Sequence, residues 1–163
     1  MAWTSSITTP TAGLPVPIAW FQGVTGNLNY IAETSWVPQL NASTTNPTLG
    51  AGSSSVGSYV RVGERYIYMR ASVTFGTSGT SNGSGVYRLT VPVNIDSAWV
   101  GVSLAGSCNC NDSGTNYYRT VVAAAATYLE FYTEAGTSVG ATTPFTWGAS
   151  DILRVSALYK AAS

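Results

Sequence analysis

The chain has 163 residues, room for one domain and a short arm, and only 9% of them are charged, with seven Lys plus Arg against seven Asp plus Glu. So even a balance builds no broad field to recruit a polyanion, which argues against nucleic acid or an acidic substrate as partner. Histidine is absent, which removes the Ser-His-Asp and Cys-His nucleophile arrangements together with the usual general base near neutral pH.

The opening Met1-Ala2-Trp3-Thr4-Ser5-Ser6 lacks the basic region and apolar run of a secretory signal, so synthesis in a cytoplasm is expected. Residues 1–15 hold Pro10, Gly13 and Pro15 among Ser and Thr and predict an extended arm with no core of its own. From Pro17 to Ile31 the apolar positions Ile18, Phe21, Val24, Leu28 and Ile31 recur at three- and four-residue spacing, one face of a short helix with Pro17 in its first turn. That stripe is too weak to stand alone, given Gly23 and Gly26 within it, and needs a surface to pack on.

After Trp36 the period changes to two. Ser58 to Val62 is followed by Arg65 to Phe75, where Ile67, Met69, Ala71, Val73 and Phe75 alternate with Tyr66, Tyr68, Arg70, Ser72 and Thr74, a half-buried strand or bent pair. Residues 76–85 are almost wholly Gly, Ser, Thr and Asn and predict a hairpin loop or mobile tip. Further strands are expected over Val86 to Val91, Ala98 to Leu104, Tyr117 to Ala123, Tyr128 to Thr133 and Ile152 to Tyr159. Short strands separated by turn residues imply an all-β domain, a β-sandwich or jelly-roll-like barrel. The most apolar run, Val121 to Ala126, is far shorter than the roughly 20 residues of a membrane-crossing helix, so no membrane insertion is expected.

Chemistry is sparse. Cys108-Asn109-Cys110 reads as two reduced thiols in a loop, because two thiols without His cannot complete a tetrahedral zinc site and a disulfide between residues two apart is strained. No phosphate-binding Gly-Lys-Ser/Thr loop or dinucleotide fingerprint occurs. A carboxylate pair able to hydrolyse a glycosidic bond would have to come from Glu33, Glu64, Asp96, Asp112, Glu130, Glu134 and Asp151. Glu130 and Glu134 are candidates for one strand face, although an exposed solvated edge explains them as well. The triplets Asn41-Ala42-Ser43 and Asn111-Asp112-Ser113 fit the glycosylation pattern but are common by chance. Aromatic residues reach 12%, with Trp3, Trp20, Trp36, Trp99, Trp147 and ten tyrosines, which suits core and inter-subunit packing first and a sugar-stacking surface second.

Three segments carry a resemblance. Trp36-Val37-Pro38-Gln39-Leu40 is followed by Asn46-Pro47-Thr48-Leu49-Gly50, by Gly57-Ser58-Tyr59 and by Gly63; then comes Gly85-Val86-Tyr87-Arg88-Leu89-Thr90-Val91-Pro92; last is Pro144-Phe145-Thr146-Trp147-Gly148-Ala149-Ser150-Asp151 before the final strand. In this order they resemble a module of minor tail, fibre and head decoration proteins of actinobacterial phages. Upstream, Gly26-Asn27-Leu28-Asn29-Tyr30-Ile31 is similar to the Asp-Asn-Leu-Asn-Tyr-Leu that precedes the module in some phage proteins, with Gly26 where the family has Asp. The Cys108 to Cys110 loop has no counterpart in that pattern.

The resemblance implies a homotrimeric β-structured virion module without enzymatic activity, cofactor or metal. Its motif residues Trp36, Pro38, Asn46, Pro47, Gly50, Tyr59, Pro92, Pro144, Phe145, Trp147 and Asp151 are then structural: Asn46-Pro47 stiffens an extended entry, Gly50 permits a turn with positive φ, and Phe145 and Trp147 cap one end of the domain. Residues 1–35 form an attachment arm and short helix, with Trp3, Ile7, Leu14, Ile18, Phe21, Val24 and Leu28 as virion anchors, and residues 36–163 form the trimerising β-domain. The expected partners are its own copies and a phage major capsid protein, on whose outer surface it would sit as a decoration or stabilisation protein. The alternative is a short tail fibre or receptor-binding protein that meets tail proteins and a host surface glycan.

Overall fold

The computed structural model describes residues 32–112, 114–133 and 135–163. The predicted arm and helix, and with them Trp3, Ile7, Leu14, Ile18, Phe21, Val24 and Leu28, lie outside the described residues, as do Ser113 and Glu134.

The described chain is almost entirely β. Its strands are β1 (Thr34–Trp36), β2 (Leu40–Ala42), β3 (Ser54–Val62), β4 (Tyr66–Thr74), β5 (Tyr87–Thr90), β6 (Ala105–Asp112), β7 (Thr115–Ala125), β8 (Tyr128–Tyr132) and β9 (Ile152–Lys160). They form one curled antiparallel sheet in the order β1-β3-β4-β9-β6-β7-β8-β5-β2. The curl is made by β7: residues 115–119 pair with β6, residues 120–125 pair with β8, and the register shifts between Val122 and Ala125. An irregularity of that kind bends a strand and increases its twist, so the two ends of the sheet turn toward each other.

The period-two pattern explains which face is inside. Ile67, Met69, Ala71 and Val73 of β4 point to the core with Leu153, Val155, Ala157 and Tyr159 of β9. They meet Val121 and Ala123 of β7, Leu129 and Phe131 of β8, and Tyr87 and Leu89 of β5 in one buried cluster. The expected all-β class is therefore present, with its core enclosed by the curl.

Several expectations are corrected. Ala98 to Leu104 is not a strand: Ser97–Trp99 is a short 3₁₀ turn, capped by the Asp96 side chain on the Ala98 N–H at 3.0 Å. Here the capping acid outcompetes the apolar pattern. The cysteines do not lie in a loop but in β6, both fully buried, because the polar residues that suggested a loop, Ser107, Asn109 and Asn111, occupy the strand's outer face. Residues 76–85 do not join a hairpin, since β4 and β5 are not neighbours. They are laced to residues 45–51 through the pairs Thr45↔Ser84, Thr48↔Ser81 and Ala51↔Ser78, so they are no free tip either. The first described strand begins at Thr34, where Thr34 and Ser35 pair with Tyr59 and Ser58.

Candidate interaction surface

Alternation that sends one set of side chains to the core sends the other set out, and register then aligns them across strands. On the outer face of β3, β4, β9 and β6 one row is Ser58, Arg70, Ser156 and Ser107, and the next is Val56, Ser72, Arg154 and Asn109. A serine in the middle of each row, Ser156 in one and Ser72 in the next, leaves room between Arg70 and Arg154 for an open concavity of about 520 Å³. Beside it, Val60, Tyr68, Leu158 and Ala105 make an apolar row, followed by Val62, Tyr66 and Lys160. Val56 and Tyr68 are 58% and 41% exposed, and Val62 and Tyr66 are exposed too. Clustered exposed apolar groups of this size mark contact surfaces.

The face has its own electrostatics. Arg70 donates to Glu33 Oε1 at 2.8 Å, and Glu33 is held below the usual carboxylate range, first by its hydrogen bond with Ser58 and then by Arg70. Arg154 enters no ion pair among the described residues. The Asn109 side-chain oxygen is buried without a hydrogen-bond partner there, an arrangement that costs stability until a donor is supplied.

The outer face beyond β7 carries a different group. Arg88 of β5 donates to Glu130 Oε1 of β8 at 2.9 Å, Tyr132 donates to Glu130 Oε2 at 2.6 Å, and the Arg88 guanidinium lies 4.6 Å from the Tyr128 ring centre. Glu130 is only 7% exposed, which corrects its expected place on a solvated edge: the neighbouring strands enclose it. With Arg88 and Tyr132 on its two oxygens the carboxylate is a structural cross-strand tie. Asp96 is likewise engaged, by Lys160 at 3.0 Å and the Ala98 N–H, which keep its carboxyl below the ordinary range. No group of three or more His, Cys, Asp and Glu able to hold a metal occurs among the described residues, and no helix there is long and apolar enough to cross a membrane.

Two of the motif residues, Phe145 and Trp147, share one aromatic cluster, and the others make separate local contacts. Trp147 is buried, donates through Nε1 to the Gly140 carbonyl at 3.1 Å, and packs against Phe75, Tyr87 and Phe145 with ring centres 5.5, 5.6 and 4.7 Å away. Phe145 follows Pro144, whose peptide bond is cis, and meets Tyr117 at 5.4 Å. Buried Asp151 accepts from the Gly148 N–H at 2.6 Å and closes the turn that presents Trp147. Elsewhere, half-buried Trp36 lies on Gly57, where a Cβ would overlap the indole. Buried Pro38 accepts the Ser55 hydroxyl at 2.8 Å. Asn46 Oδ1 accepts the Ala42 N–H at 2.9 Å just ahead of Pro47. Gly50 sits at φ +80° against the Ser78 carbonyl, while Tyr59 packs on the core edge and Pro92 follows the end of β5.

The concavity was not singled out from sequence. Arg70 and Ser72 are legible as the outward members of an alternating strand, but their meeting with Arg154, Ser107 and Asn109 depends on β9 entering between β4 and β6, which no local pattern reveals. Scans against family models, curated proteins and solved structures find no match to this chain.

Proposed function

We propose that the protein is a non-enzymatic structural component of a bacteriophage particle, a homotrimer that decorates and stabilises the outside of the head. The observation that carries this reading is the exposed apolar and serine-lined outer face of β3, β4, β9 and β6, a surface suited to contact and bare of reactive groups. The carboxylates placed near it or on the neighbouring outer face, Glu33 and Glu130, are tied to arginines. In this reading residues 1–31 attach the trimer to the shell, and the motif residues around Trp36 and Trp147 hold the β-domain in shape.

A second reading, a tail-tip protein that recognises host glycan, is favoured by a cleft of about 440 Å³ lined by Gly83, Ser84, Gly85, Ser138, Thr142 and Thr143. Backbone and hydroxyl groups of this kind bond to sugar hydroxyls. Gold-labelled antibody on purified virions separates the two: label over the whole head supports decoration, label at the tail tip supports the second reading, and absence from the particle overturns both.

A further inference from the structure

We propose that the concavity on the outer face of β3, β4, β9 and β6 is a binding site for an acidic sugar, a saccharide unit that carries one carboxylate among hydroxyl groups. The site is built around two arginines on neighbouring strands. Arg70 of β4 stands opposite Ser156 of β9, and Arg154 of β9 stands opposite Ser72, so the two arginines are diagonal neighbours. Diagonal positions of an antiparallel pair lie about 7–8 Å apart, close enough for two long side chains to hold one group between them. Both arginines line the concavity. Arg70 gives one hydrogen bond to Glu33 at 2.8 Å, while Arg154 enters no ion pair among the described residues. Two arginines less the Glu33 carboxylate leave a single positive charge. That matches one carboxylate, whose two oxygens fit the guanidinium fork, and is overshot by a phosphate dianion. The low charge of the chain excludes a broad field but not this local one.

The floor selects for hydroxyl groups. Ser58, Ser72, Ser107 and Ser156 line it, and a hydroxyl both donates and accepts, so each can bond to a sugar hydroxyl in either sense. Ser107 and Ser156 stand 3.3 Å apart, too long for a strong bond between them, which leaves both able to turn toward a guest. The Asn109 side-chain oxygen, on the same wall, is buried with no donor among the described residues; a turn of that amide toward a guest hydroxyl supplies one. At about 520 Å³ the space is of the size that takes small molecules. Its open side admits a unit within a chain as well as a free sugar. An acidic side chain from a protein partner would satisfy Arg154 but not the four serines, so the sugar is the better match. Val62, Tyr66 and Tyr68 lie outside the lining and stay available for protein contact. The site shares no residue with the cleft at Gly83 to Gly85, and it does not depend on whether the protein sits on a head or a tail.

The test is NMR titration of the full chain with galacturonate, glucuronate, galactose and acetate in turn. At least one of the two sugar acids should bind with a dissociation constant of about 1 mM, as expected for so small a ligand, and should shift the resonances of Ser72, Ser156 and Arg154. Galactose keeps the hydroxyls and acetate keeps the carboxylate, and each should bind at least about tenfold more weakly. Arg154→Gln should weaken binding of the sugar acid about tenfold, with the buried Cys108 and Cys110 still unreactive to alkylation as a sign that the β-domain is folded. Ser72→Leu keeps both arginines, fills the space and should abolish binding. A polymer of the same sugar acid that binds at least as well as the free acid assigns a glycan chain as the source, whereas binding of the free acid alone assigns a soluble sugar. Absence of any shift with either acid at about ten times that concentration overturns the proposal. So does equal binding of galactose, which would remove the charge from recognition, or of acetate, which would leave an adventitious ion only. A glutamate-bearing peptide that shifts these resonances where the sugar acids do not would overturn it in favour of an acidic protein partner.

Discussion

Glu130 projects from the outer side of β8 and is nonetheless nearly enclosed, with one oxygen on Arg88 and the other on Tyr132. Removing one member of such a group leaves the others unsatisfied, so Glu130→Gln should lower the unfolding free energy by about 1–3 kcal/mol, measured by urea denaturation. The same variant has a second readout. The Tyr132 phenol is pushed up to about 12, first by its hydrogen bond to Glu130 and then by burial, whereas an unfolded tyrosine titrates near 10. A raised folded value means that this contribution to stability is complete below pH ~10 and is lost as the pH rises through about 12. In Glu130→Gln the Tyr132 ring resonances should titrate nearer the ordinary value; a titration unchanged from the parent would assign the shift to burial alone.

At the scale of elements, β6 shows how a polar composition conceals a strand. Cys108 and Cys110 face the core while Ser107, Asn109 and Asn111 face out, and the thiols stand 3.9 Å apart. Burial pushes the Cys108 thiol well above its usual range, and its neighbour Cys110 adds to that. Both cysteines should resist alkylation in the native protein and react fully in denaturant, and Cys108→Ser should destabilise by about 1–3 kcal/mol through its buried hydroxyl. Fast native labelling would place them in a loop after all. The pairing of β1 with β3 makes a further prediction: Gly57→Ala drives a Cβ into the Trp36 indole and should cost about 1–3 kcal/mol in thermal or urea unfolding. These cases show what was legible and why. The apolar alternation of β4 and β9 is local, so both strands and their buried faces can be read directly. The order β4-β9-β6 and the split of β7 between two partners depend on pairings between residues far apart in sequence, so the concavity, the Arg88–Glu130 tie and the lacing of residues 76–85 could not be read. At 98–104 a local signal was present but weaker than the Asp96 cap.

For the whole molecule, an exposed apolar face and a low charge are tolerable in a protein that spends its life in contact, and the proposed trimer is the first such contact. Light scattering at micromolar concentration should give three chains per particle; a stable monomer would remove the basis for multivalent attachment. In the proposed reading attachment is the task of residues 1–31, beginning with the arm at 1–15. Pro10 and Pro15 disfavour sheet and helix interiors, and the segment's low charge leaves Trp3, Ile7 and Leu14 as the groups able to insert into a partner. A large apolar side chain contributes about 1.5–3 kcal/mol when fully buried, which gives one arm a modest hold. Three arms on one trimer raise the effective affinity by orders of magnitude without any new contact. Deleting residues 1–15 should therefore leave a folded trimer whose binding to stripped particles is lost. Replacing Trp3 and Leu14 together by Ser in the full chain should weaken binding by more than the loss from one arm, because every arm is weakened at once. If the deleted form still saturates stripped particles, the β-domain makes the attachment and the arm has another use.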